Sequence, residues 1–204
     1  MKRLLIGTTN PAKLEEAKTV LNGNGFEILG LKEFPHIEKI EESGETFEEN
    51  AILKAKGYFA QTGIPTIADD GGLMVDALDG LPGVHSNRFL GYAASDEELV
   101  QGILKRLEGV PREKRTARLG GVIIFWDGAQ LLRAENYIEG YIAEKPLDEI
   151  RPGFPYRPIL FLPQFGKPYS ALTHEEHEQA DFRRKSLREL KPKILELLDS
   201  LPAS

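Results

Sequence analysis

The stretch Ile67-Ala68-Asp69-Asp70-Gly71-Gly72-Leu73 decides how the chain on either side of it is read. An apolar run from Ile64 to Ala68 leads into two adjacent carboxylates, and two glycines follow before an apolar segment, Leu73 to Leu78, resumes. Asp and Gly are ordinary turn residues, so one reading is a β-turn. The other follows from extended-chain geometry. Successive side chains alternate sides, so Asp69 and Asp70 cannot point the same way. One can be anchored by local backbone hydrogen bonds while the other faces a cleft, and the glycines let a bulky anion come close to the backbone.

Towards the N-terminus, Gly63-Ile64-Pro65 breaks a segment whose Phe47, Ala51, Ile52, Ala55 and Phe59 follow helical spacing. Thr46 with Glu49 three residues on is a capping-box pattern at its start. Residues 32–45 are polar and acidic and read as a loop. Before them, Arg3 to Gly7 is a short buried strand and Phe26 to Leu31 a second one. Between these, Asn10-Pro11 offers a cap followed by Pro at the first helical position, and Lys13 to Leu21 carries helical spacing, ended by Gly23 and Gly25. The chain therefore opens as β-turn-α-β.

Towards the C-terminus, Gly80-Leu81-Pro82-Gly83 reads as a turn and Val84 to Phe89 as an irregular surface segment. Ser95 with Glu98 caps a helix running to about Leu107. Thr116 to Trp126 and Gln130 to Ile142 are strand-like and joined across Asp127-Gly128, a hairpin signal. Residues 145–172 are rich in Pro and Gly with apolar islands, and Phe182 to Leu201 is helical, with Pro192 kinking it or starting a new helix. The expected architecture is α/β: a central twisted mixed sheet flanked by helices, in one domain over residues 1–204 with two lobes around a long cleft.

Composition narrows the function classes. The 204 residues carry a net charge of −6, which does not favour nonspecific binding to nucleic acid or an anionic membrane. There is no cysteine, so this chain forms no disulfide, zinc–cysteine site or iron–sulfur cluster. The apolar run after Lys2-Arg3 stops at Gly7, too short for a signal-peptide core or a membrane span, and a cytoplasmic location is expected.

The polar residues point to phosphate chemistry. Thr8, Asn10 and Lys13 sit at a strand end and a helix N-terminus, where free N–H groups and the helix dipole favour an anion. Glu41 or Glu42 together with Asp69 and Asp70 could hold a divalent cation, since Mg²⁺ takes oxygen ligands and few protein carboxylates. His174 and His177 are one helical turn apart, but no third zinc ligand is identifiable.

The ordered set Thr8-x-Asn10-x-x-Lys13, Glu42-x-Gly44-x-Thr46-Phe47-x-Glu49-Asn50-Ala51-x-x-Lys54-Ala55, Ala68-Asp69-Asp70-x-Gly72-Leu73-x-Val75 and Pro82-Gly83-Val84-x-Ser86-x-Arg88 resembles the inosine triphosphate pyrophosphatase family, the XTP/dITP diphosphatases. The resemblance spans nearly the whole chain. It implies a homodimeric, Mg²⁺-dependent enzyme converting a nucleoside triphosphate and water to the monophosphate and pyrophosphate. Thr8, Thr9, Asn10, Lys13 and Lys54 would hold the triphosphate, and Glu42 and Asp70 the Mg²⁺. Asp70 would also be the base that prepares water, with Asp69 supporting it and Arg88 near the substrate.

The second half departs from the family pattern where the base is read. Gly153-Phe154-Pro155-Tyr156-Arg157-Pro158 stands for Gly-Phe-Gly-Tyr-Asp-Pro, and Asp181-Phe182-Arg183 for Ser-His-Arg. A family lysine falls on His177 and a serine on Gly71. Phe154, Tyr156 and Arg183 survive, so the substrate-binding set extends to Gly71, Phe154, Tyr156, Arg157, His177, Phe182 and Arg183, with an altered base preference expected. The competing expectations are a nucleotide-binding or regulatory protein with little turnover, and hydrolysis of a non-nucleotide phosphoanhydride.

Overall fold

In the computed structural model the described residues are 2–22, 25–92 and 94–200; the side chains of Asn87 and Arg88 lie outside the description, as does Gly23. Seven strands hydrogen-bond in the order β2-β1-β3-β4-β5-β6-β7, and five α-helices accompany them among the described residues. The strands are β1 (Lys2–Ile6), β2 (Phe26–Gly30), β3 (Thr66–Val75), β4 (Thr116–Trp126), β5 (Leu131–Ile142), β6 (Leu160–Leu162) and β7 (Lys167–Pro168). The helices are α1 (Pro11–Leu21), α2 (Phe47–Thr62), α3 (Asp96–Arg106), α4 (His174–Ala180) and α5 (Phe182–Ser200). Parallel pairing of β1 with β2 and β3, and antiparallel pairing of β5 with β6 and β6 with β7, make the sheet mixed, as expected for the α/β class.

The chain divides into two compact units, one of residues 1–70, 121–136 and 182–204, the other of 71–120 and 137–181. In the first, β1 is buried on both faces. Leu4 and Ile6 pack with Ala17 and Leu21 of α1 and with Leu187, Leu190 and Ile194 of α5. Leu5, on the opposite face, packs with Leu29, Tyr58 of α2 and Ile64. Alternation along one strand thus puts α1 and α5 on one side and α2 on the other. The second unit has its own core, in which Leu73 and Val75 join Leu99, Val100 and Ile103 of α3, and Tyr156, Leu160 and Tyr169.

Local signals explain the helix ends. Asn10 caps α1 by accepting from the backbone of Ala12 and Lys13, with Pro11 at the first helical position. Thr46 and Glu49 form the full capping box on α2, and Gly63 closes that helix in the left-handed conformation at φ 67°. The Asp127-Gly128 turn joins β4 to β5, with the Asp127 carboxylate accepting from Ala129 and Gln130 at 2.8 and 2.7 Å.

One local expectation is corrected, two open alternatives are narrowed, and one cap is added. Asp69 to Gly72 is no turn: β3 runs unbroken from Thr66 to Val75. Val84 to Arg88 is not irregular but lies in a 3-10 turn, Gly83–Arg88. Pro192 lies inside α5 without ending it. Finally, Thr173 and Glu176 cap the short helix α4, a box legible in the sequence but passed over there.

Candidate active site

β3 carries the carboxylates, and its alternation sends them to opposite faces. Asp69 shares a side with Ile67, facing α1 and α5. Its Oδ2 accepts from Lys13 Nζ at 3.0 Å and from Arg183 Nε and Nη2 at 3.2 and 3.0 Å. Arg183 also donates through Nη1 to Glu16 Oε2 at 2.7 Å. Asp70 faces α2, where Asn50 Nδ2 donates to its Oδ2 at 3.1 Å and Lys54 Nζ to its Oδ1 at 3.3 Å. Lys54 is also 3.5 Å from Glu42 Oε1, so Glu42 and Asp70 converge on one ammonium.

The order in which the chain builds this site is readable. Asn50 and Lys54 are four residues apart on α2 and present one face together. The loop bearing Glu42 is pinned to the start of that helix. Gly44 N donates to Asn50 Oδ1 at 2.8 Å, and Glu45 N and Thr46 N donate to Glu49 Oε2 at 2.7 and 3.2 Å. A Cβ at Gly44 would lie 2.6 Å from Glu49 Cβ and 2.8 Å from Asn50 Oδ1. Gly44→Ala is therefore expected to force the loop off α2 and release Asn50 from its position against Asp70. The expected cost is about 1–3 kcal/mol, read by thermal melting. An unchanged melt and unchanged hydrolysis would remove Gly44 from this role.

The environments of the two aspartates differ in sign. Burial would raise Asp69, but Arg183, then Lys13 and Lys54, hold its carboxyl far below the usual range, so it stays ionised. Burial raises Asp70; Lys54 opposes that, Glu42 adds to it, and the net direction is up. Lys54 would be lowered by burial, yet Asp70, Asp69 and Glu42 hold it above its ordinary value and keep it a cation. For Lys13, burial lowers the value, Asp69 opposes, and Arg183 and Lys54 lower it further. Lys13 shares its carboxylate with a guanidinium that is never neutral, so the charge at Asp69 is secured by Arg183. Neighbouring carboxylates pushed apart in this way suit two roles, a fixed counter-ion and a proton acceptor.

At the α1 turn, Thr8 Oγ1 accepts from Asn10 N at 3.2 Å and Thr9 is exposed. Asn10 Oδ1 takes up Ala12 N at 2.9 Å and Lys13 N at 3.4 Å, so it engages two of the N–H groups expected for an anion. The structure thus brings Thr8, Asn10, Lys13, Glu42, Lys54, Asp69 and Asp70 into the first unit, with Arg183 among them. Arg183, expected with the base-reading residues, donates to Asp69 and Glu16. Phe182, at the start of α5, is buried, with the Arg183 guanidinium 4.8 Å from its ring centroid. Sequence reasoning missed Asn50 and Glu16 as site residues; their signals were the i,i+4 spacing to Lys54 and the i,i+3 spacing from Lys13.

The remaining expected residues belong to the second unit. Tyr156 is buried within its core, where burial pushes the phenol up against an opposing Ser86 hydroxyl. Arg157 lies with its guanidinium carbon 3.6 Å from the Phe154 ring centroid and donates to Asp181 Oδ2 at 2.9 Å. Tyr169 OH donates to the same carboxylate oxygen at 3.0 Å, and the His177 ring is tilted against Tyr169 at 5.4 Å. Gly71 is in β3. The backbone of Arg88 closes the 3-10 turn, and its side chain lies outside the described residues.

Known proteins resemble this chain in sequence and in fold. The chain is 39% identical over 197 residues to the dITP/XTP pyrophosphatase of Bacillus subtilis (strain 168), covering 96% of this chain and 98% of that one. It is 40% identical over 192 residues to the protein of the same name from Geobacter sulfurreducens, covering 94% and 96%. A solved HAM1 protein from Coxiella burnetii superposes with a TM-score of 0.85 at 33% identity, covering 96% of this chain and all of that one. The model of the Ham1 family matches residues 4–193, and the chain belongs to that family.

Proposed function

We propose that the protein is a nucleoside triphosphate pyrophosphohydrolase, cleaving NTP to NMP and pyrophosphate and removing non-standard nucleotides from the pool. The observation that carries this is the split pair on β3, Asp69 locked by Arg183 and Lys13, Asp70 held by Asn50 and Lys54 beside Glu42. The relatives named dITP/XTP pyrophosphatase support it.

In this reading Asp70 takes a proton from water, and the water oxygen forms a bond to the α-phosphorus. The bond from that phosphorus to the bridging oxygen breaks, and its electron pair leaves with pyrophosphate. Each oxygen of Asp70 already accepts one hydrogen bond, and a carboxylate has lone pairs left for the water. Lys13 and Lys54 offset the charge that moves onto the leaving group. Asp69 keeps Lys13 and Arg183 in place and carries no proton.

Mg²⁺ fits the residues present. Glu42 and Asp70 are hard oxygen donors converging where the Lys54 ammonium already marks a site favourable to positive charge. No group of three or more His, Asp or Glu suited to a metal occurs among the described residues, and Mg²⁺ needs no such cage, since water and phosphate complete its shell. Bound there by Glu42 and Asp70, it would supply electrostatic stabilisation of the phosphates.

We further propose an altered base preference. Two of the departures from the family pattern, Arg157 and Asp181, meet as an ion pair, which supports treating them as one compensated change. Among the described residues no helix is long and apolar enough to cross a membrane. The test is pyrophosphate release from ITP, XTP, dITP and the common nucleotides with Mg²⁺, and again with a chelator. Release from deaminated purine nucleotides that stops on chelation is expected. No release from any nucleotide would overturn the reading.

A further inference from the structure

We propose that Arg157 is a specificity-determining residue that occupies the aromatic face of Phe154 and excludes a purine ring from stacking there. This rests on the reading above, in which Phe154 belongs to the base-reading group. The guanidinium carbon sits 3.6 Å from the Phe154 centroid, at van der Waals contact over the ring, and 4.9 Å from the Tyr169 centroid. A cation this close to the Phe154 ring face occupies the place a base would use to stack on that face.

Three features hold it there. Asp181, fully buried, accepts from Arg157 Nη2 at 2.9 Å. The Tyr169 hydroxyl fixes that carboxylate from a second direction at 3.0 Å. The backbone is fixed as well: Phe154 N donates to Arg151 O at 3.0 Å, Ser170 N to Arg157 O at 3.2 Å, and Pro155 stiffens the segment between Phe154 and Arg157. Only 13% of the Arg157 side chain is exposed. The space beside it, lined by Phe154, Arg157, Ser170 and His177, is a cavity of only about 10 Å³, too small to hold a base. A base reaching the face of Phe154 that Arg157 covers must expel an ion-paired guanidinium. Discrimination then falls on the phosphates and sugar, and the purine advantage that ring stacking confers is lost.

The test uses the full chain carrying Arg157→Ala with Asp181→Asn, which clears that face, leaves no unpaired buried carboxylate, and keeps an acceptor for Tyr169 OH. KM is measured for ITP, dITP, UTP and CTP, together with binding of the non-hydrolysable α,β-methylene analogues of ITP and UTP. The expected result is a fall in KM and Kd for the purine nucleotides on the order of tenfold, within the range base–aromatic stacking carries, and a smaller fall for the pyrimidines. Arg157→Lys, which keeps the charge for Asp181 but presents no planar face, is expected to move the ratio in the same direction, and it decides the matter if the double variant melts early. An unchanged purine-to-pyrimidine ratio, or weaker purine binding, overturns the proposal while hydrolysis by the parent chain leaves the function standing. If the parent neither hydrolyses nor binds any nucleotide, both fall.

Discussion

Asp70→Asn is expected to lower pyrophosphate release by about a thousandfold, the scale of a lost general base, while stability stays within about 1 kcal/mol of the parent. Asn has nearly the shape of Asp, and its amide oxygen can still accept from Lys54 or Asn50. What it cannot do is take a proton from water or carry charge. Its neutrality also removes a like-charge neighbour of Glu42, whose proximity is one cause of the raised Asp70 value. The loss should therefore appear in kcat and not in the melt. Steady-state kinetics beside a thermal scan checks this, and an active, normally folded variant would remove Asp70 from its role.

Arg183→Ala carries the largest expected cost to stability. The guanidinium engages both Asp69 and Glu16, with side-chain exposures of 7% and 9% for those carboxylates. Removing it takes the guanidinium from two buried carboxylates at once, leaving Lys13 as the cation at Asp69. Breaking a buried pair in this way costs about 3–5 kcal/mol. For a chain of this length that corresponds to a fall in Tm of roughly 10 °C. Arg183→Lys should recover part of the loss, because one ammonium can serve one carboxylate but lacks the fork that reaches both. A Tm unchanged in Arg183→Ala would show that the network contributes no net stability.

These two expectations treat adjacent aspartates differently, and the reason is their surroundings. Asp69 meets a helix pair that supplies Arg183 and Lys13; Asp70 meets α2, which supplies an amide and one lysine shared with Glu42. A substitution at Asp70 is read in the chemistry, and one at the partner of Asp69 in the fold.

Much of the architecture was legible residue by residue. The Thr46/Glu49 and Ser95/Glu98 boxes, the Asn10-Pro11 cap and the Asp127-Gly128 hairpin each specify their element through contacts within four residues, so no distant partner is needed. The opposed directions of Asp69 and Asp70 also follow from strand alternation alone. Turn versus strand at Asp69 to Gly72 does not. Local propensity favours a turn there, and incorporation into the long strand β3, next to β4 in the sheet, overrides it.

The partners of the aspartates are likewise tertiary. Arg183 reaches Asp69 across 114 residues, and Lys54 reaches Asp70 across 16 through a helix whose orientation the sheet dictates. Arg157 shows the same limit: a motif comparison marks it as a departure, but only the packed unit puts it over the Phe154 ring and against Asp181. Local sequence specifies most of the long elements, several of their caps and the kinds of charge available. Which charge meets which was decided by the tertiary structure, because Coulomb and hydrogen-bond energies depend on distance and burial, and sequence spacing carries neither.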